Sequence, residues 1–205
     1  LIPIFFIFTP DIAHLAPYCI LNVKPPFKPI LVMNAVPKED IAWINSLHPD
    51  LPLVELKHSL RQNSASLLPH SDVLNDLFAV VPGNFCIQDP DCFVVDQNFY
   101  THVSLSKSEF AAGPFWEQNS THGHIFPYTY FVIFNTTAFR VNSSKFGTNA
   151  DVIRKMPRRA AREIASMGYQ PGEFPEPTKN YFDTLQAHWL LSLSAGLTFR
   201  QLPGI

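Results

Sequence analysis

The sequence predicts an α/β fold with a mostly parallel sheet flanked by helices, and three observations carry that prediction. Through the first half of the chain, short apolar runs alternate with amphipathic segments at the spacing of strand–helix units. Val73, Leu74, Leu77, Phe78 and Val81 recur at three- and four-residue steps, the signature of a helix with one buried face, and Pro82-Gly83 stops it. The apolar run Phe85-Cys86-Ile87 then ends in Asp89-Pro90-Asp91, and parallel α/β sheets hold their ligands at the carboxyl ends of their strands.

Taken in order, residues 2–9 read as a buried strand. The run from Leu1 to Phe8 is too short to span a bilayer, which takes about 20 apolar residues, and it has neither the basic flank nor the cleavage site of a signal peptide. No membrane segment is therefore expected in this chain. A short helix follows over residues 11–21, and a second strand over 29–34 comes after the connector Lys24-Pro25-Pro26-Phe27-Lys28. Pro37, in the favoured first-turn position with Glu39 and Asp40 beside it, opens a helix that runs to Leu47. Residues 53–56 form a third short strand, 69–81 the amphipathic helix and 85–87 the strand that delivers the two aspartates.

The second half changes character. Residues 106–124, rich in Gly, Ser, Asn and aromatic side chains without a clear period, read as a loop region over the sheet edge. Residues 128–135 are aromatic and β-branched and predict a strand. A basic amphipathic helix over 154–167 is closed by Gly168, and after the turn-rich stretch 171–177 a last helix runs over 181–195 to Gly196. With 205 residues, 46% of them hydrophobic, the chain is expected to form one domain.

Fifteen basic against 17 acidic side chains leave a formal net charge of -2, which excludes a nucleic-acid track or a polybasic membrane patch. Cys19, Cys86 and Cys92 are an odd number without metal-site spacing, so buried free thiols in a reducing, cytoplasmic setting are expected. Sequons at Asn119, Asn135 and Asn142 offer the competing lumenal reading, but Asn135 ends an apolar run where a glycan is hard to place.

The chemistry centres on Asp89 and Asp91. Two carboxylates one residue apart at the end of a buried strand can turn toward one hard cation, which prefers oxygen ligands and shares its shell with water and substrate phosphates. Such a cation neutralises a departing diphosphate. The same three residues are also ordinary turn chemistry at a strand end.

The surrounding pattern decides between these. His70-Ser71-Asp72-Val73-Leu74-Asn75-Asp76-Leu77-Phe78, then Gly83 and the strand into Asp89 and Asp91, resembles the GT-A-type nucleotide-sugar glycosyltransferases, in which a helix with a Leu-Asn or Leu-Asp pair leads through a Gly turn into the strand bearing an Asp-x-Asp motif. Residues 127–135 and the Tyr181-Phe182-Asp183-Thr184 segment are similar to later parts of that family. The resemblance implies a mixed, mostly parallel GT-A sheet with a Rossmann-like nucleotide-sugar-binding half over 1–100 and an acceptor-side half over 101–205. It implies transfer of a sugar from a nucleotide-diphosphate donor to a carbohydrate or other hydroxyl acceptor with a divalent metal, Mn2+ or Mg2+. Asp91 is then the metal ligand, and Asp89 assists it or bonds the ribose. Thr9 and Asp11 hold the base and ribose, Asn34 sits at the tip of the second strand, and His70 and Asn75 line the diphosphate pocket.

An inverting transfer needs a base for the acceptor hydroxyl. Asp183 is the candidate, with Glu117 behind it; Asp183 is equally a helix cap, whereas Glu117, which no spacing fixes, reads more readily as a solvated loop residue. His122-Gly123-His124 is either a metal pair or a solvated loop, and His188 reads as a packed helix residue. Arg154, Arg158 and Arg162 share one helical stripe that suits an anion or plain solvent, while Phe115 and Trp116 suit either an acceptor sugar or the core. Two other readings stand beside transfer. A haloacid-dehalogenase-like phosphohydrolase also carries Asp-x-Asp on a strand, although Phe93 stands where that motif expects Thr or Val. A non-catalytic nucleotide-sugar-binding module would keep the fold without the reaction.

Overall fold

The sheet is organised around β1 (Ile2–Phe8), whose last five residues are buried. It pairs in parallel with β2 (Phe27–Met33) on one side and with β4 (Phe85–Gln88) on the other, so both of its edges are paired, and the helices of two core clusters cover its two faces. A strand covered on both faces needs apolar residues at every position, which explains the unbroken run Ile4-Phe5-Phe6-Ile7-Phe8. The structure, a computed structural model, describes residues 1–56, 67–96, 98–118, 122–151, 156–170 and 184–203.

β3 (Leu53–Glu55) extends the sheet beyond β2, again in parallel. On the far side of β4 lie β8 (Phe131–Phe134), β5 (Glu109–Gly113) and β9 (Thr198–Gln201), giving the order β3-β2-β1-β4-β8-β5-β9. β8 runs antiparallel to both β4 and β5, whereas β9 is parallel to β5. Among the described residues β8 alone opposes the common direction. β6 (Trp116–Gln118) and β7 (Ile125–Pro127) form a separate antiparallel hairpin. The chain leaves β1 first to one side and then to the other, so a crevice opens between β1 and β4 at their carboxyl ends.

Alternation along β1 divides the core into two clusters. Phe5 and Ile7 join Val73, Leu74, Leu77 and Phe78 of α3 (His70–Val80), together with α5 (Thr136–Phe146), α6 (Arg158–Ser166) and α7 (Gln186–Ser194). Ile4, Phe6 and Phe8 face the other way, toward a 3-10 turn at Ala13–Leu15, α1 (Ala16–Cys19), α2 (Lys38–Leu47) and α4 (Phe99–His102). Aromatic rings fill the first cluster: Phe78 stacks on Phe139 at 3.5 Å and also meets Phe85 and Phe134.

Several expected elements are redrawn. Residues 106–124 hold two strands, and β5 is buried along its whole length. Its Glu-Phe-Ala-Ala-Gly sequence has no β-branched residue; tertiary pairing with β8 and β9 makes it a strand, and Arg200 of β9 bridges Glu109 at 2.9 Å. A Cβ added at Gly113 would lie 2.6 Å from the Phe131 carbonyl oxygen, so the glycine there permits the close crossing with β8. β8 begins three residues later than expected, and α5 follows it unannounced, capped by the Asn135 side chain, which accepts from Ala138 N at 3.0 Å. The helix expected over 11–21 is the 3-10 turn plus the short α1. The described part of the basic helix starts at Arg158 and that of the last helix at Gln186, while Arg154, Lys155 and 181–183 lie outside the described residues. No described helix is long and apolar enough to cross a membrane.

Candidate active site

The crevice at the β1/β4 switch receives side chains from four elements. Thr9 follows the end of β1, Asn34 the end of β2, His70 opens α3, and Asp89 and Asp91 follow β4; these five line one cleft of about 220 Å³ with apolar walls from Ile7 and Leu68. A larger hollow of about 470 Å³ lies at the opposite edge, beside Asn84 and Asn135, but its lining carries no Asp, Glu or His. Its size is therefore not matched by reactive chemistry, and the smaller cleft is the better site.

Gln88 fixes the turn that carries the aspartates. It is buried, donates from Nε2 to the Cys92 carbonyl at 2.6 Å and accepts from the Tyr100 hydroxyl at 2.7 Å. The Asp89 carbonyl accepts from Cys92 N at 2.9 Å, and Asp89 N donates to the Tyr130 carbonyl at 2.8 Å. Sequence reasoning passed over Gln88, although a lone amide at the end of an apolar run is a usable signal, because a buried amide must find partners. Burial first, and the neighbouring Asp91 second, push the Asp89 carboxyl up to about 7, whereas Asp91 is exposed. The turn thus sets two carboxylates beside one another at the cleft. The described lining contains no Lys or Arg to compensate them.

The remaining members have distinct surroundings. Thr9 donates its hydroxyl to the Asp11 carboxylate, which holds that exposed group below the usual range. Asn34 is buried and clipped to Leu68: its Nδ2 donates to the Leu68 carbonyl at 3.0 Å, and Leu68 N donates to its Oδ1 at 2.9 Å. The next residue, Ala35, has φ 59, a left-handed conformation that costs an L residue about 1 kcal/mol and turns the chain away at the cleft edge. His70 buries its Nε2 with no hydrogen-bond partner among the described residues, and burial favours the neutral imidazole by lowering its pKa.

Other candidates stand apart from this cleft. Asn75 donates to Asp151 at 2.6 Å and accepts from Ala150 N at 2.8 Å, so its amide ties α3 to the segment after α5 and is not among the cleft lining. Glu117 accepts the Tyr128 hydroxyl at 2.6 Å on the β6–β7 hairpin. Asp183 lies outside the described residues. The His122 and His124 rings pack on Tyr169, with His124 Nδ1 2.5 Å from its hydroxyl. His188 is buried beside Asn142 and Ser192, as a packed helix residue should be. Arg158 and Arg162 are exposed, and Arg159 sits over the Phe146 ring at 5.7 Å. Among the described residues no group of three or more His, Cys, Asp and Glu could hold a metal by itself.

Known structures share this architecture. The mannosyltransferase PcManGT from Pyrobaculum calidifontis, solved with GDP-Man and Mn2+, matches 98% of this chain and 54% of its own with a TM-score of 0.54 at 10% identity. The galactosyltransferase LgtC, solved with donor and acceptor sugar analogs, matches 97% of this chain and 73% of its own with a TM-score of 0.53 at 9% identity. The glycosyltransferase GlyE of Streptococcus pneumoniae matches 98% and 44%, with a TM-score of 0.51 at 11% identity. The fold is therefore that of the GT-A glycosyltransferases, with the mostly parallel sheet and flanking helices that the sequence predicted. The model of the StrH glycosyltransferase N-terminal domain matches residues 2–139, and the chain belongs to that family. No curated protein sequence matches. The chain spans about half the length of PcManGT, 54%.

Proposed function

We propose that this chain carries the donor site of a glycosyltransferase that moves a sugar from a nucleotide-diphosphate donor to a hydroxyl of a carbohydrate or other acceptor. The observation that carries the reading is the placement of Asp89 and Asp91 together at the carboxyl end of β4, in the cleft at the β1/β4 switch. Two carboxylates and a diphosphate repel one another unless a cation stands between them, and Asp91 adds to burial, the larger cause, in raising the Asp89 carboxyl to about 7. Mn2+ or Mg2+ fits that donor set, with Asp91 as ligand, Asp89 assisting, and the rest of the shell left to phosphate oxygens and water. Bound there, the cation supplies Lewis-acid neutralisation of the leaving diphosphate.

The chain's own groups supply the rest. Asp11, kept ionised by Thr9, accepts hydrogen bonds from ribose hydroxyls, and Thr9 borders the nucleotide. Asn34 spends its amide on Leu68 and so shapes the pocket wall. His70 offers a neutral imidazole whose unpartnered Nε2 can meet a phosphate or sugar oxygen. Asp183 is assigned as the base that takes the acceptor proton. The buried thiols of Cys19, Cys86 and Cys92, and the engaged amides of Asn135 and Asn142, support a cytoplasmic location.

The test is release of nucleoside diphosphate from a panel of nucleotide-sugars with and without Mn2+. Metal-dependent release that Asp91→Asn abolishes is expected. Metal-dependent turnover that survives Asp91→Asn refutes the metal assignment, phosphate release from a monoester favours a phosphohydrolase, and binding without turnover favours a binding module.

A further inference from the structure

An exposed aromatic ridge begins directly beside Asp89. β4 and β8 pair Ile87 with Val132 and Gln88 with Phe131, so the register continues to place Tyr130 across from Asp89, where the Asp89 N–H meets the Tyr130 carbonyl. Ile87 and Val132 both face the α3-side cluster, and opposed residues of an antiparallel pair share a face. Past the strand ends Asp89 and Tyr130 remain neighbours across the pair, joined by the bond from the Asp89 N–H to the Tyr130 carbonyl. From Tyr130 the ridge runs outward: its ring lies parallel to that of Tyr128 at 5.5 Å, and Phe115 meets it edge-on at 5.8 Å.

Tyr130 is 50% exposed and Tyr128 37%, which is unusual for rings that have packed neighbours available. The hairpin register pairs Glu117 with Phe126, on the side of Phe115 and Tyr128, and sends Trp116 to the opposite face. Glu117 accepts the Tyr128 hydroxyl through Oε2, and that hydrogen bond pushes the phenol up to about 12, so the phenol keeps its proton. Ring faces set beside a carboxylate match one ligand chemistry closely. A pyranose presents a face of C–H bonds that suits the electron-rich face of an aromatic ring, and its equatorial hydroxyls suit a carboxylate at the rim.

We propose that the ridge formed by Phe115, Tyr128 and Tyr130, with Glu117 at its rim, binds the saccharide acceptor. This rests on the donor-site reading above: the ridge starts at the residue that faces the leaving group and leads away from the cleft, so a sugar stacked on Tyr130 brings a hydroxyl toward the donor. Glu117 thereby becomes an acceptor-binding residue, not a base.

The test uses the full chain and two separate readouts. Saturation-transfer NMR with lactose, maltose, cellobiose and chitobiose reads the ridge, and the thermal shift given by nucleotide-sugars with Mn2+ reads the donor site. At least one disaccharide should bind, with affinity falling about tenfold in Tyr130→Ala and several-fold in Glu117→Gln. Trp43→Ala, which removes an exposed ring on α2, should leave it unchanged, and the nucleotide-sugar shift should be the same in all variants. The proposal falls if no disaccharide binds at about 10 mM, if Tyr130→Ala binds as well as the unmodified chain, or if Tyr130→Ala loses the nucleotide-sugar shift, which would make the ridge a donor-sugar surface. Absence of a nucleotide-sugar shift in the unmodified protein refutes the donor-site reading and leaves the saccharide readout standing by itself.

Discussion

Replacing Asp89 by Asn should stabilise the metal-free protein, and more so as pH rises. In the fold this carboxyl is raised from 3.8 to about 7 by burial and by Asp91. The native state therefore binds a proton that the unfolded chain has already released, so stability is lost as pH climbs through that window and levels off above it. A shift of that size corresponds to about 4 kcal/mol, which partial solvent access reduces to about 2 kcal/mol. Asn keeps the shape and removes the charge. The assay is thermal or urea unfolding of both proteins in EDTA at about pH 5 and about pH 8. The advantage of Asp89→Asn should widen by about 2 kcal/mol over that range, or roughly 4–8 °C for a chain of this size. Excess Mn2+ at neutral pH should reverse the order, because the unmodified chain, with both carboxylates, binds the metal to its native state more tightly than a variant that keeps Asp91 alone. A gap independent of pH, or an Asn variant less stable than the parent at pH 8 without metal, would refute the idea that the cleft holds an uncompensated carboxylate pair.

Three further outcomes follow from packing and titration. Gly113→Ala forces a Cβ to 2.6 Å from a backbone carbonyl and should cost at least about 1–3 kcal/mol by urea unfolding, since neither strand can yield alone. Phe78→Ala removes the ring shared by Phe85, Phe134 and Phe139 and should cost about 3–5 kcal/mol in the same measurement. Burial lowers His188 to about 3 from 6.5, so the unfolded state takes up the proton first and stability falls as pH drops below 6.5. His188→Gln should flatten that acid limb in unfolding midpoints taken across the range; an unchanged slope would show that other groups produce it.

The first half of the fold was legible because its signals are local. A strand buried on both faces needs only an apolar run, as in β1, and α3 announces itself by the spacing of Val73, Leu74, Leu77 and Phe78. The second half was harder because its elements are made by their neighbours. β5 is a strand through pairing with β8 and β9, not through the propensities of Phe110-Ala111-Ala112. α5 is disguised by Thr136, Thr137, Asn142 and two serines, and only its Asn135 cap hints at it. At the site, Thr9, Asn34, His70, Asp89 and Asp91 could be found at strand and helix ends, because a parallel sheet gathers those ends at one edge. Asn75 is a different case: an amide one helix turn further along α3 reaches the Ala150–Asp151 segment instead, and no spacing rule reveals which loop will come to meet it.

The clip between Asn34 and Leu68 has a consequence for how the cleft is bounded. Leu56 N is held by the Met33 carbonyl and Leu68 by the side chain of the very next residue, so Leu56 and Leu68 are both fastened at one point on the tip of β2. The end of β2 and the approach to α3 are thus set by the same two residues, Met33 and Asn34. In effect the tip acts as a buckle that fixes this wall of the cleft.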